Sequence, residues 1–553
     1  MTLLSKSLPP AVLLGVGGLV FFVAGLGQGE LYRNETLRAQ LAAEMLRTGQ
    51  WIVPTLYGEP LLTKPPLQYW LVALLSLPFG QVTETTARLP SVLGALALLA
   101  ACYAHFRSVV GPHGALAAAL AMPVGWLWLE KVPSAELDML LTAGVGLALL
   151  AAWRALDAVA ERRRSAEWAW WTVALLCIAL GVLTKWTAWL YFYAALVPLC
   201  LWQRRLGQLF RPAHLLAVLA GVAVVLVWAG LLVGQIGWEN AVAQIGTEAR
   251  AKFVPSHHGS GARWGETLLH PLKILAVTLP WSLWALLTCL PSWWRTLDQP
   301  TRQLAQGLTC WFWPNLLLFT LLPEHGTRHS FPFMPAAALL GGLVWWQAWR
   351  GQLDPKLAAG HRRLAFGVVA GAMLAAVVAA GLATYVLPRD RWWLMVALTG
   401  AGLAVLSEGW QGSKVGAWAR VFGCLIIAWM VVKLAWITVV LPYRDEARSP
   451  RAKGAQVAAL VPRDAPLYLG QFKDEGVMFY SGRAARRVRD WEQLTLSTRP
   501  VYLLVTPGEW EQLGPRDDWR VLAEHRLRDS QGDPVILAVV VRGTPSIRIA
   551  RQN

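Results

Sequence analysis

The chain reads as a mostly α-helical, polytopic transmembrane protein of about thirteen spans, closed by a small α/β domain. Three observations predict this. Of 553 residues, 56% are hydrophobic and only 15% charged, with mean hydropathy +0.42; a soluble domain carries nearer ~25% charge. Apolar stretches close to the ~20 residues that a bilayer requires recur from residue 9 to residue 441. After Pro442 the composition turns polar, and short β-rich runs alternate with turn residues.

Taken in order, the expected spans are 9–26, 86–107, 113–129, 136–155, 168–184, 186–203, 214–234, 272–291, 304–322, 330–349, 364–387, 391–408 and 417–441. The first is read as a retained span, because no convincing small-residue cleavage site accompanies it. Residues 66–80 are apolar too, but they follow Pro65-Pro66 and read as an interfacial helix. Lys/Arg bias orients the chain. With the N-terminus cytoplasmic, Arg154, Arg162 to Arg164, Arg204, Arg205, Arg211, Arg295, Arg302, Arg350, Lys356, Arg362, Arg363 and Lys414 all fall inside. The long loops 27–85 and 235–271 then lie on the periplasmic face, as does the tail. The expected division is a transmembrane domain over 1–445 and a soluble periplasmic α/β domain over 446–553. In the latter, 466–470, 477–480, 501–505 and 535–541 read as strands and 486–494 as a helix.

Several function classes are excluded. The net charge of +17 does not indicate nucleic acid, because the basic residues sit in short loops between apolar spans and form no basic helix with interleaved aromatics. All six cysteines, Cys102, Cys177, Cys200, Cys289, Cys310 and Cys424, lie in or beside apolar spans, so there is no disulfide framework and no Cys-based metal motif. Tryptophan clusters at Trp168/Trp170/Trp171, Trp293/Trp294 and Trp392/Trp393 read as interfacial anchors.

What remains informative is where the unusual ionisable residues fall. Glu35, Lys64, Glu136, Asp138, Lys185, His257, Glu324 and His329 gather on the periplasmic side of the expected topology. Ionisable groups at a membrane boundary are costly without a partner or a task. Leu37, Leu41, Met45 and Leu46 share one face of a helix after Asn34-Glu35-Thr36, so 37–47 reads as an amphipathic helix at the interface, capped by Asn34 or Thr36. Lys64 precedes two prolines that fix an extended elbow. A phosphate is its natural partner there, and a snorkelling role is the alternative. Glu136 and Asp138 open an apolar span, where they need a cation, a metal, hydroxyl donors or simply the helix dipole. Lys185, in a short outer turn, is placed to pair with Asp138 or to bind an anion. Arg328 at a span mouth suits a phosphate or sugar. Glu324, His325 and His329 leave a divalent metal open, whereas the adjacent pair His257-His258 is a poor metal site by spacing.

In this order, these residues resemble a family: the bacterial GT-C class membrane glycosyltransferases, nearest to the lipid A aminoarabinose transferases and the wider protein O-mannosyltransferase-like group. The resemblance runs through Asn34-Glu35-Thr36, Ala39 to Glu44-Met45, Gly49 to Pro54, Lys64-Pro65-Pro66-Leu67, Tyr69-Trp70 and Ala87 to Pro90. It continues through Leu137-Asp138, Leu183-Thr184-Lys185, Leu279-Pro280-Trp281 and Phe331 to Pro335. It implies an inner-membrane enzyme that passes a sugar from a polyprenyl-phosphate donor to a lipid or glycan acceptor, without nucleic acid. It implies Lys64 near the carrier phosphate, Asp138 and Lys185 in the site and Glu35 beside the family's acidic position; together with the readings above, Asn34, Glu35 and Asp138 are the candidate catalytic residues and Lys64, Lys185, Arg328, Tyr69 and His257 the candidate substrate-binding residues.

Three positions depart from the family pattern. Asn34 stands where the family has Asp, Thr63 where an acid often precedes the lysine, and Leu37 where an arginine follows. Asparagine cannot act as a general base. Three explanations stay open: an acceptor that is already ionised, a role taken over by Glu35 or Glu30, or loss of transfer. The contrasting class is a transporter or lipid-binding membrane protein. Transporters carry polar residues near the midplane, whereas here the span interiors are almost wholly apolar.

Overall fold

The computed structural model describes residues 9–243, 246, 260–322, 326–472, 474–488, 500–513, 519–528 and 534–540. The described residues fall into two compact units. One comprises Met1–Gly27, Leu62–Leu71 and Arg88–Val440; the other comprises Gln28–Leu61, Val72–Ala87 and Leu441–Asn553.

The first unit is helical. Seven described helices in the chain are long and apolar enough, by length and composition, to cross a membrane, as expected of a multi-pass membrane protein. That is fewer than the thirteen expected spans, for local reasons. Residues 86–107 and 113–129 remain on separate helices within Glu84–Ala121, which part at Gly111, where φ is 76° and ψ 172°; the second stops at Ala121, and Trp126–Lys131 follows as a short helix of its own. Residues 272–291 divide among Ser260–Val277, Trp281–Leu287 and Pro291–Arg295, because Pro280 and Pro291 lack the N–H that a continuing helix needs. Residues 186–203 form a helix of only 15 residues, Ala188–Trp202. Residues 330–349 combine a 3-10 turn, Thr327–Phe333, with the helix Met334–Trp349.

Packing in this unit depends on close approach and on buried indoles. A β-carbon on Gly342 would lie 2.5 Å from the Ala118 Cα, so only glycine permits that helix contact. The reading of the tryptophan clusters as interfacial needs correction. Trp170 and Trp393 are exposed, but Trp171 and Trp293 are fully buried. Three of the buried indoles find specific acceptors for their polar N–H. Trp293 donates to Gln347 Oε1 at 2.6 Å, Trp281 to the Val124 carbonyl at 2.7 Å and Trp311 to the Pro332 carbonyl at 3.0 Å.

The second unit pairs a helix with sheets. Strands β1 (Thr55–Leu56) and β2 (Glu59–Pro60) form a hairpin whose turn, Tyr57-Gly58, has positive φ at both residues. The other strands are β3 (Leu467–Leu469), β4 (Ala485–Arg487), β5 (Val501–Val505), β6 (Trp519–Arg528) and β7 (Pro534–Val540). Their order is β4-β3-β5-β7-β6, with β3 parallel to β4 and β5, and β7 antiparallel to β5 and β6. Two local expectations change. Val477 to Tyr480 lies in a helix, Glu475–Ser481, because Asp474 caps it by accepting from the Val477 N–H at 2.9 Å. Arg486 and Arg487 lie in β4 rather than in a helix.

The helix Asn34–Thr48, expected as an amphipathic helix at the interface, buries polar as well as apolar side chains. Leu41 and Met45 are buried, but so are Arg38 and Glu44. Glu44 accepts from the Tyr57 N–H at 2.6 Å and from Thr55 Oγ1 at 3.0 Å, tying the helix to the β1–β2 hairpin. Neither Asn34 nor Thr36 caps the helix. Arg33 occupies the cap position with no side-chain capping bond, and Thr36 Oγ1 donates to the Arg33 carbonyl at 2.6 Å.

Candidate active site

The site in the membrane unit is built by a helical hairpin. Helix Asp138–Ala160 turns at residues 161–163 into Arg164–Thr184, and the two pack along their length. Small residues let them close: a β-carbon on Gly144 would sit 3.2 Å from the Cys177 carbonyl. Hairpin topology puts the N-terminus of the first helix beside the C-terminus of the second. Asp138 is the first residue of the one and Lys185 is the C-cap of the other. A carboxylate at the positive end of a helix dipole and an ammonium at a negative end are each favoured there. They meet at 3.4 Å, Lys185 Nζ to Asp138 Oδ1, with both side chains buried.

Further charges act on this pair. The cations Lys131 and Arg328 and the ring of His329 all interact electrostatically with the Asp138 carboxylate. Lys131 Nζ is itself 2.7 Å from Glu136 Oε2 and 3.3 Å from Glu130 Oε1. Burial opposes its charge, but Glu136 more than offsets this, and the Lys131 pKa is raised above 10.5. Arg328 and His329 are held by the turn Thr327–Phe333. There the Tyr191 hydroxyl donates to the His329 carbonyl at 2.8 Å, and Tyr191 stacks on Phe319 at 4.1 Å. Next to Lys185, the Trp186 indole N–H and the Thr187 hydroxyl are buried without a hydrogen-bond partner among the described residues. Cations and carboxylates alternate in this cluster, Lys185 on Asp138 and Lys131 on Glu136 and Glu130, with two spare donors alongside in a low-dielectric setting.

The structure thus brings Asp138, Lys185 and Arg328 into one constellation. Lys64 is half-buried in the same unit, where its ammonium donates to the Thr63 carbonyl at 3.0 Å. Tyr69, also in this unit, is fully buried. Asn34 and Glu35 stand in the other unit: Asn34 is exposed, whereas Glu35 is buried and accepts from the Tyr32 N–H at 3.1 Å. His257, Glu324 and His325 lie outside the described residues. Among the described residues no group of three His, Cys, Asp or Glu side chains could hold a metal ion. Sequence reasoning passed over Lys131, although a lysine five residues before Glu136 in a short polar turn was signal enough. It also passed over Trp186 and Thr187, whose spare donors show only in the packing.

A family model for dolichyl-phosphate-mannose-protein mannosyltransferases matches residues 63–228, a stretch that holds Lys64, Lys131, Asp138 and Lys185. The undecaprenyl phosphate-alpha-4-amino-4-deoxy-L-arabinose arabinosyl transferase of Pseudomonas paraeruginosa is 30% identical over 436 residues, 77% of this chain and 74% of the relative. The corresponding protein of Pseudomonas aeruginosa is 33% identical, covering 60% of this chain and 58% of its own. Transferase 2 of Pseudomonas fluorescens is 30% identical, covering 60% and 55%. The chain therefore spans little more than half the length of these last two relatives. In fold, the chain is similar to the crystal structure of ArnT from Cupriavidus metallidurans bound to undecaprenyl phosphate. The TM-score is 0.71, at 19% identity, over 97% of this chain and 99% of that one. On the relationship to the Pseudomonas paraeruginosa protein, the chain belongs to the family of undecaprenyl phosphate-alpha-4-amino-4-deoxy-L-arabinose arabinosyl transferases.

Proposed function

We propose that the chain is a membrane glycosyltransferase of the bacterial inner membrane. It moves a sugar from a polyprenyl-phosphate donor to a lipid, or another envelope acceptor, on the periplasmic face. The observation that carries this is the buried Asp138–Lys185 pair with Lys131 and Arg328 around it. Family membership supplies the reaction class. In a single displacement, an acceptor oxygen bonds to the anomeric carbon while the bond from that carbon to the phosphate oxygen breaks. The electron pair stays on the polyprenyl phosphate. Lys64, Lys185 and Arg328 stabilise the charge growing there, with Tyr69 and His257 as further substrate contacts. Asp138 holds Lys185 in place. An acceptor phosphate already carries its charge, so it attacks without a base; Asn34 and Glu35 stand as acceptor-side candidates on the family resemblance alone. The C-terminal residues 446–553 form a periplasmic domain in this reading.

Lys64→Ala tests the carrier-binding half. Transfer in proteoliposomes should fall below detection while the protein still elutes as a monodisperse, folded species. Turnover equal to wild type would remove Lys64 from the mechanism. Asn34 also supports a second reading, a degenerate transferase retained for lipid binding. Mass spectrometry of envelope lipids with and without the gene separates the two, since only an active enzyme leaves a glycosylated lipid that disappears on deletion.

A further inference from the structure

The helical hairpin has a second end, away from the Asp138–Lys185 pair. Helix Asp138–Ala160 runs for 23 residues, roughly 34 Å. Around its far end lies a cavity of about 350 Å³, within the roughly 300–1,000 Å³ of small-ligand sites. Four elements of the first unit meet there. Asp157 and Glu161 come from the end of that helix, and Gln203 and Arg205 from the turn after Ala188–Trp202. Gln303 comes from the start of Gln299–Leu321, and His105 from Glu84–Ala121 just before the break at Gly111. In the proposed orientation this is the cytoplasmic end.

The wall carries both signs of charge, and each keeps hydrogen-bonding capacity to spare. Asp157 and Glu161 stand at a helix C-terminus, the end where the dipole disfavours carboxylates, so a further cation stabilises them. Arg205 Nη1 lies 3.6 Å from Asp157 Oδ1, and Arg163 Nε lies 2.5 Å from Glu161 Oε2. Both carboxylates are about half-exposed and can accept beyond one such contact. Among the described residues no group of three His, Cys, Asp or Glu side chains could hold a metal ion, which leaves an organic ammonium as their complement. On the other side, the Arg205 guanidinium has no acceptor besides Asp157 among the described residues. Arg154 Nε donates to His105 Nδ1 at 3.2 Å, so the ring proton sits on Nε2, whose N–H has no acceptor among the described residues. Such donors suit a phosphate. The rest of the wall is apolar, with Val109, Leu156, Leu199 and Leu304, and Leu201, Trp202 and Phe210 are exposed at the same end.

We infer that this cavity holds the headgroup of a phospholipid bearing a primary amine, such as phosphatidylethanolamine. Its ammonium lies against Asp157 and Glu161, its phosphate against Arg205 and His105, and its acyl chains run over Leu201, Trp202 and Phe210. A trimethylated nitrogen carries the same charge but donates no hydrogen bond to a carboxylate, and a glycerol headgroup lacks the cation. The test is native mass spectrometry of the delipidated full-length protein in detergent. It is titrated with dioleoyl phosphatidylethanolamine, phosphatidylcholine and phosphatidylglycerol, and with free phosphoethanolamine. Phosphatidylethanolamine should bind at least about tenfold more tightly than the other two lipids. Asp157→Asn should erase that preference, Glu161→Gln, at the more exposed position, should reduce it, and Arg205→Gln should weaken all three lipids alike. Each variant should elute as a monodisperse species like wild type. Equal binding of phosphatidylethanolamine and phosphatidylcholine overturns the assignment, as does tighter binding of phosphatidylglycerol. A preference that survives in Asp157→Asn/Glu161→Gln overturns the site. Free phosphoethanolamine binding as tightly as the lipid overturns the lipid as its source.

Discussion

Asp138 and Lys185 are 47 residues apart in sequence, yet their charged atoms lie 3.4 Å apart at one end of a helical hairpin. The turn at 161–163 falls midway between them, so their meeting follows from two helices of nearly equal length folding back on each other. Both side chains are buried, and removing either partner strands a charge away from water. Such losses cost about 3–5 kcal/mol. Lys185→Ala and Asp138→Ala should each lower the thermal midpoint markedly and abolish transfer. The double variant should be less destabilised than the two losses summed, because it leaves no orphan charge. Additive losses in unfolding followed in detergent would show that the pair is not coupled.

How much of this was legible in the sequence depends on whether the signal was local. The Asp138–Lys185 pairing was among the readings open from sequence, because span boundaries and loop polarity alone fix which ends share a side. Helix continuity was less legible. Pro280 and Pro291 divide an apolar run that hydropathy alone reads as one span. Trp171 and Trp293 were read as interfacial because they sit at span ends, but burial there is decided by neighbouring helices that sequence does not place. Glu44 was not among the residues singled out from the sequence. Its acceptors serve a hairpin eleven and thirteen residues later, and no periodicity announces that.

Glu44 is accordingly a structural residue, and its substitution should show as instability. Its carboxylate is the acceptor for the buried Tyr57 N–H and for Thr55. Burial, working against the charged form, raises its pKa above 4.5 even though these donors pull it down. Glu44→Ala should destabilise the unit by about 1–3 kcal/mol through the orphaned donor. Glu44→Gln, which keeps one acceptor oxygen, should lose less. Limited proteolysis of the 49–61 segment would reveal the order of the two; equal cleavage in both variants and wild type would contradict the role.

The Lys131–Glu136 contact predicts a pH dependence at the alkaline end. Glu136 beside it keeps the folded-state pKa of Lys131 above 10.5, despite burial. Folding therefore gains from the protonated form. The gain is complete below the unfolded value and is lost as pH rises through the folded one. Glu136→Gln removes the attraction while burial remains, so that variant should lose stability at lower pH than wild type. Unfolding curves recorded between about pH 8 and pH 11 would resolve this, and superimposable profiles for the two proteins would refute it.

Asn34 decides between the chemical alternatives. It is exposed at the start of its helix, at the position where the family resemblance implies an aspartate. A hydroxyl acceptor needs a base to take its proton, whereas an ionised phosphate does not. General-base assistance contributes roughly 100-fold to 10,000-fold. If the acceptor reacts through an ionised phosphate, Asn34→Asp adds no useful base and places a negative charge near another. Transfer by that variant should then stay within about twofold of wild type or fall, and the rate should not acquire a new acidic limb in its pH profile. A gain approaching the range for base catalysis would show instead that an ancestral proton acceptor has been lost, and would move this chain to the degenerate reading.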